Sequence, residues 1–287
     1  MGKYKIFVDT GSDIPQEVAK KYDIGVIRFL SVFGEETIVT GTEITNEEFY
    51  KKLESFDGIP TTAQTPYGEL LEILKNASDE NDVVIYYTIS SKGSGQYNSA
   101  CMIKNEILEE NPDADIRIVD TMKFSVYTML AAIRTKELLD GGEDVDSAVK
   151  KAVDYMNSFE AYVLVDTLKY LEKGGRITKT SAIVGSLLDI KPVLTIKDGL
   201  MEAVEKIRGR KKLYKKLIEL VREFPGFNED NTEFIVVHSN KEYCEETKDL
   251  LSQEFGIDEE IASYELGPVI GTHIGPGTLA ILFRVDK

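Results

Sequence analysis

The chain has 287 residues, of which 42% are hydrophobic and 29% charged, and its net charge is −16. That length exceeds one small core and suits two packed domains. The acidic balance excludes a nucleic-acid binder and loose attachment to anionic membranes, both of which rely on an excess of Lys and Arg.

An anion held by so acidic a protein has to be shielded locally, by hydroxyls, backbone amides or a single Arg. Cys101 and Cys244 form no zinc or redox pattern and read as free thiols in a reducing cytoplasm. The start MGKYKIFVDT has no apolar signal region, and Ile6 breaks a myristoylation motif after Gly2. No stretch approaches the ~20 apolar residues of a membrane span. A cytoplasmic protein without stable membrane insertion is expected.

The first half alternates strand and helix. Tyr4 to Val8 reads as a strand running into the turn Thr10-Gly11-Ser12, with a helix from Pro15 to Tyr22 and a second strand over Ile24 to Val32. Thr45-Asn46-Glu47-Glu48 is a capping box that opens a helix to Ser55. Thr65-Pro66 reads as N-cap and first turn of a helix to Asn76. Val83 to Ile89 is a near-continuous apolar run, the mark of a parallel strand buried on both faces. A helix over Ser94 to Glu110, a strand over Ile116 to Val119 and a helix over Phe124 to Leu139 follow. This alternation predicts a Rossmann-like α/β domain with a parallel sheet.

The second half differs. After a helix near Val145 to Ser158, Tyr162 to Val165 is a strand. Asp166 to Lys173 is helical, and Gly174 reads as its C-cap. Pro192 to Ile196 and Met201 to Ile207 flank Asp198-Gly199, a strong hairpin signal that demands antiparallel pairing. Glu233 to His238, Ile261 to Leu266 and Thr278 to Val285 are further strands, with helices near Arg210 to Glu223 and Lys241 to Phe255. The expectation is an α/β protein of two domains: residues 1–157 form the α/β domain, and residues 158–287 an α+β domain with a mixed sheet.

Several motifs carry possible chemistry. Asp9-Thr10-Gly11 follows two apolar residues, as in an aspartic protease. No second Asp-Thr-Gly is present, however, and the alternation with helices speaks against that fold. A strand-end turn is the simpler reading. The loop Ser90-Ser91-Lys92-Gly93-Ser94-Gly95 opens a helix, where exposed N–H groups and the helix dipole favour an anion. It lacks the Gly-Lys-Ser/Thr of a phosphate loop. Thr61-Thr62-Ala63-Gln64 precedes another helix and turns toward the same crevice at the strand ends. Arg176 follows Gly174-Gly175, where it would meet an anion or simply face solvent. The stretch Leu266 to Gly277 holds four glycines and two prolines together with Val269, Ile270, His273 and Ile274, an unusual backbone course for a solvent loop. With only His238 and His273, a zinc site is not expected. The basic run Arg208-Gly209-Arg210-Lys211-Lys212 reads as a solvated helix face or a patch for an acidic partner.

Taken in order, these segments resemble the DegV family of bacterial fatty-acid-binding proteins. The matching pieces are Asp9 to Asp13, Thr62 with Gln64, Ser90-Ser91 with Ser94-Gly95 and Tyr97 to Ala100, and Asp120 with Ser125. They continue with Thr167 to Leu171, Gly174-Gly175-Arg176-Ile177, Lys191-Pro192, and Gly267-Pro268 through Gly277. The resemblance implies a long-chain fatty acid such as palmitate, with no other cofactor, buried between the two domains. Its carboxylate would be held by Thr62 and Ser94. Arg176, His273, Ser125 and Gly95 would lie near the head group or a partner. It further implies a non-enzymatic role as the substrate-presenting subunit of a separate fatty acid kinase.

The chain departs from the family pattern at Ala63, where Ser is usual and one donor is lost. It also departs at Thr65-Pro66 for Pro-Ser and at Gly93 for Leu. Tyr127 and Met129 stand where glycines are usual, and such bulk would shorten or redirect an acyl tunnel. Two other readings stay open from the residues alone: a small-molecule phosphotransferase or hydrolase using Asp9 and His273, and an acidic interaction module without a ligand.

Overall fold

Residues 2–178, 190–208 and 210–286 are described in a computed structural model of the chain. Four short apolar segments make a parallel sheet: β1 (Tyr4–Asp9), β2 (Ile24–Ile27), β6 (Val83–Thr88) and β7 (Asp115–Asp120), in the order β2-β1-β6-β7. Crossover helices cover both faces, as parallel strands require. On one face Val84 and Tyr86 of β6 pack with Leu70 and Leu74 of α3 (Tyr67–Glu80) and Ile103 of α4 (Gln96–Glu110). On the other, Ile85 and Tyr87 meet α5 (Val126–Asp140).

The second sheet has six strands in the order β10-β9-β8-β13-β11-β12: β8 (Phe159–Leu164), β9 (Ile190–Lys197), β10 (Leu200–Arg208), β11 (Phe234–His238), β12 (Ala262–Glu265) and β13 (Leu279–Arg284). Only β11 and β12 pair in parallel, so the sheet is mixed. Period-two alternation splits its side chains. Leu279, Ile281 and Phe283 face α8 (Arg210–Arg222) and α9 (Lys241–Phe255). Ala280 and Leu282 face the first sheet's core. One continuous core therefore runs from β1 and β6 through α5 to the inner face of the six-stranded sheet. The helix α5 is buried on nearly every side, from Val126 to Leu139. The α/β class with one parallel and one mixed sheet is as the alternation predicts. In the hairpin, Asp198 and Gly199 take φ of 49° and 79°.

Several expectations need correction. The run Ile24 to Val32 is two strands, because β3 (Leu30–Phe33) leaves the parallel sheet. It pairs instead with β4 (Glu36–Val39) and β5 (Thr61–Ala63) in a small antiparallel sheet. Thr62 therefore sits on a strand, not in a helix-leading loop. Thr65 is not an N-cap. It is buried and donates its hydroxyl to the Arg28 carbonyl at 2.8 Å, while Pro66 holds the cap position of α3. Gly174 ends α7 (Lys169–Gly174), and Gly175 is the left-handed cap at φ 70°. The Gly/Pro-rich stretch is a helix, α10 (Pro268–Ile274), packed on α2 (Asn46–Ser55), α7, β3 and β5. The capping box of α2 is present, with Thr45 and Glu48 each bonding the other's backbone N–H. Within the basic run, Gly209 lies outside the described residues; further along α8, Lys216 pairs with Glu219 at 3.5 Å. Among the described residues no helix is long and apolar enough to cross a membrane.

Candidate ligand-binding site

The parallel strands end in loops that meet at one edge, the usual location of a site in such sheets. Asp9 at the end of β1 is fully buried. Its carboxylate accepts N–H bonds from Gly11 at 2.9 Å and Ile89 at 3.1 Å, which locks the β1 and β6 loops together. Asp120 at the end of β7 accepts from Ser91 at 3.1 Å and Met122 at 3.0 Å. Asp13 accepts from the Ser125 hydroxyl and from the Gly267 N–H at 2.8 Å, tying these loops to α10. Burial raises both Asp9 and Asp13 to about 7.

Above these ties lies a narrow cavity of about 80 Å³ between the two sheets. Its walls are apolar: Ile89 lines it from the loop after β6, Val126 from α5, and Val163, Val237 and Leu282 from the six-stranded sheet. Polar side chains are few, among them Thr62, Ser94, Ser125, Arg176 and His273.

Those polar groups are arranged by contacts that can be traced. Ser31 of β3 pairs in register with Thr62 of β5, and its hydroxyl meets that of Thr272 on α10 at 2.8 Å. The next residue of α10, His273, brings its Nε2 to 2.7 Å from the Thr62 hydroxyl. A Cβ at Gly174 would come within 2.7 Å of His273 Nδ1, so glycine allows the imidazole to pack against the α7 turn. Burial, and then the charge of Arg176, push the His273 pKa down to about 4, which leaves the ring neutral at physiological pH. Arg176 is half-buried. Its guanidinium donates to the Gly93 carbonyl at 2.9 Å and to the Gly174 carbonyl, joining the α7 turn to the loop before Ser94.

That loop is not the amide cradle its sequence suggests. The N–H groups of Gly93 and Ser94 bond the Ser90 carbonyl, that of Lys92 bonds the Ser90 hydroxyl, and that of Gln96 bonds the Ser94 hydroxyl. What the loop offers the cavity is the Ser94 O–H. The Ser90 hydroxyl in turn donates to the Gly199 carbonyl at 2.8 Å, so the hairpin of the second sheet docks on this loop.

The expected residues thus divide. Thr62, Ser94, Ser125, Arg176 and His273 share one cavity. Gly95 is exposed beside Gln64 and is not part of the wall. Asp9 is outside the wall with both oxygens bonded, so it does not stand with His273 as a catalytic pair. Of the two bulky departures, Tyr127 lines the cavity, whereas Met129 is packed in the shared core. Sequence reasoning gave no role to Asp13, Phe29 or Phe124; the last two line the cavity. Cys101 and Cys244 are free thiols. Among the described residues no cluster of His, Cys, Asp or Glu is placed to hold a metal ion.

The same architecture recurs in known proteins. A fatty acid-binding protein of Thermotoga maritima is 35% identical over 290 residues, covering 99% of this chain and 98% of that one. DegV of Bacillus subtilis, described as a fatty acid-binding protein, superposes with a TM-score of 0.84 at 28% identity, with both chains fully covered. A stearic acid-binding protein of Eubacterium ventriosum reaches a TM-score of 0.87 at 26% identity over 98% of each chain. The profile of the DegV family, a family described as uncharacterised proteins, matches residues 3–286. With a match that spans almost the whole sequence, the chain belongs to the DegV family.

Proposed function

We propose that this protein binds a long-chain fatty acid in the cavity between residues 1–157 and residues 158–287, with the carboxylate held by the hydroxyls of Thr62 and Ser94. The observation that carries the reading is an apolar cavity whose few polar side chains include two hydroxyls and a neutral imidazole. The named relatives and structures that bind fatty acids support it. Burying ~15 methylenes is worth on the order of 12 kcal/mol before the costs of association. A carboxylate stranded in that wall would forfeit much of this. Two hydroxyl donors to a charged acceptor return about 1.5–3 kcal/mol each. His273 completes the arrangement when its Nε2–H donates to the Thr62 oxygen, which frees the Thr62 proton for the ligand. The half-buried Arg176 supplies positive charge in a chain of net charge −16.

Hydroxyl donors leave a carboxylate oxygen free to attack a phosphate donor, which a bidentate Arg would obstruct. On that ground the protein acts in the cytoplasm as the presenting subunit of a separate fatty acid kinase and does no chemistry itself. Native mass spectrometry of the purified protein tests the first part: a co-purifying C14–C18 acid is the expected result, and a bound nucleotide in its place would overturn it. ATP-dependent formation of an acyl phosphate only when a partner kinase is added tests the second.

A further inference from the structure

Most buried tyrosines in this protein have their hydroxyls paired. Tyr50 donates to the Leu266 carbonyl at 3.1 Å, Tyr86 accepts from Gln96 Nε2 at 3.0 Å, Tyr87 meets the Thr135 hydroxyl, and Tyr162 reaches the Leu220 carbonyl at 3.4 Å. Tyr127 is the exception. It is 2% exposed, and its hydroxyl finds no partner among the described residues. Two other buried side-chain atoms share that state, Gln96 Oε1 and His238 Nδ1, but neither residue lines the cavity. Tyr127 does, in the first turn of α5, two residues beyond Ser125.

A buried hydroxyl without a partner gives up the hydrogen bond that water provides in the unfolded chain, and native structures rarely leave one so. Desolvation, with a further push from the charge of Glu160, keeps the phenol protonated far above its ordinary pKa. It is therefore a donor at every physiological pH. Val126, Ala161, Val163 and Leu282, which share the cavity wall with it, offer no side-chain acceptor. A plain hydrocarbon tail offers none either. An oxygen on the tail would.

We propose that Tyr127 is a second polar reading point in the cavity, and that the preferred ligand is a long-chain fatty acid bearing an oxygen on its chain, as a hydroxyl or keto group. This inference rests on the fatty-acid reading. The carboxylate fixes one end of the ligand, so the phenol selects the position of the oxygen along the chain. A Tyr at this position thus adds a polar contact as well as bulk.

The test is a titration of stearate and a positional series of monohydroxystearates against the wild type and Tyr127→Phe, which keeps the ring and removes only the hydroxyl. Wild type is expected to bind isomers at one or a few adjacent positions about tenfold tighter than stearate. The Phe variant should lose that preference while stearate affinity stays the same or improves. A wild type that prefers no isomer, or a preference that survives Tyr127→Phe, would overturn the proposal and leave the fatty-acid reading intact. Failure of stearate and of every isomer to bind would sink the fatty-acid reading itself, and this inference with it. The unliganded Phe variant should melt no lower than wild type. A clear drop would mean that the hydroxyl is already paired in the free protein, which also overturns the proposal.

Discussion

The Thr62 hydroxyl and the His273 Nε2 stand 2.7 Å apart, joining positions 211 residues apart in the chain. The contact couples a three-residue strand to the last turn of a helix from the other end of the sequence. Because the imidazole is neutral, its tautomer decides what Thr62 can do. With the proton on Nε2, Thr62 accepts from His273 and donates to the ligand.

Thr62→Ala and Ser94→Ala are each expected to weaken binding of palmitate by at least about tenfold, the loss of one hydrogen bond to a charged acceptor. Thr62→Ser should retain most of the affinity, since the hydroxyl remains. Calorimetric titration of the three variants checks this. Unchanged affinities in both Ala variants would remove the hydroxyl clamp.

Gly174→Ala tests the packing behind the clamp. Gly174 has a helical, not left-handed, backbone, so the substitution acts through space alone. Its Cβ would press on His273 Nδ1, and the ring would have to leave Thr62. The expected result is a loss of palmitate affinity like that of His273→Ala, with about 1–3 kcal/mol lost from stability as in other overpacked sites. Chemical denaturation alongside the titration separates the two effects.

Arg176 is expected to be needed for binding as well as for any phosphoryl transfer. Its guanidinium spans the Gly93 and Gly174 carbonyls, so Arg176→Ala should loosen the Ser94 loop against the α7 turn. Arg176→Lys should rescue little, because an ammonium does not reproduce the planar fork. His273→Ala should weaken palmitate binding less than Thr62→Ala does, since the ring acts only through the Thr62 hydroxyl. Parallel binding and kinase assays distinguish these patterns, and an Arg176→Ala variant with full affinity would contradict the structural role.

Much of this frame is legible in the sequence, and the gaps have physical causes. The run Val83 to Tyr87 is apolar throughout because both faces of β6 are covered, and the Thr45 to Glu48 capping box announces α2 locally. Residues 24–32 read as one strand because Phe29 continues the apolar pattern, although its ring goes to a small cluster with Ile89 and Val269. The strand β5 is three residues long, and its partner lies thirty positions earlier, so no periodicity reveals it. Glycines and prolines hide α10, yet Gly267 at the N-cap, Pro268 at N1 and Gly275 at the C-cap are the signals of a short helix. Nothing local links Thr62 to His273. Only the family resemblance set both near one head group.

Asp9 and Asp13 give the protein a pH dependence with a defined sign. Burial holds both near 7 in the folded state, whereas in the unfolded chain each titrates near the ordinary value of about 4. Between about pH 4 and 7 the native state keeps protons that the unfolded state has released, so their contribution to stability falls as pH rises. It is fully present below about 4 and lost above about 7. The two residues should respond differently to amidation. At Asp13 an Asn can accept from the Gly267 N–H with its oxygen and donate to the Ser125 hydroxyl with its amide, and Asn tolerates the left-handed backbone at φ 52°. Asp13→Asn should therefore fold and flatten the decline between pH 4 and 7. At Asp9 both oxygens accept backbone N–H bonds, so an Asn would turn its own N–H₂ toward one of those donors. Asp9→Asn should cost about 1–3 kcal/mol even at low pH, where the charge penalty is absent. Urea midpoints of wild type and both variants at pH 4.5, 6 and 8 decide the matter. Parallel slopes for wild type and Asp13→Asn would mean that the Asp13 carboxyl is ionised throughout this range.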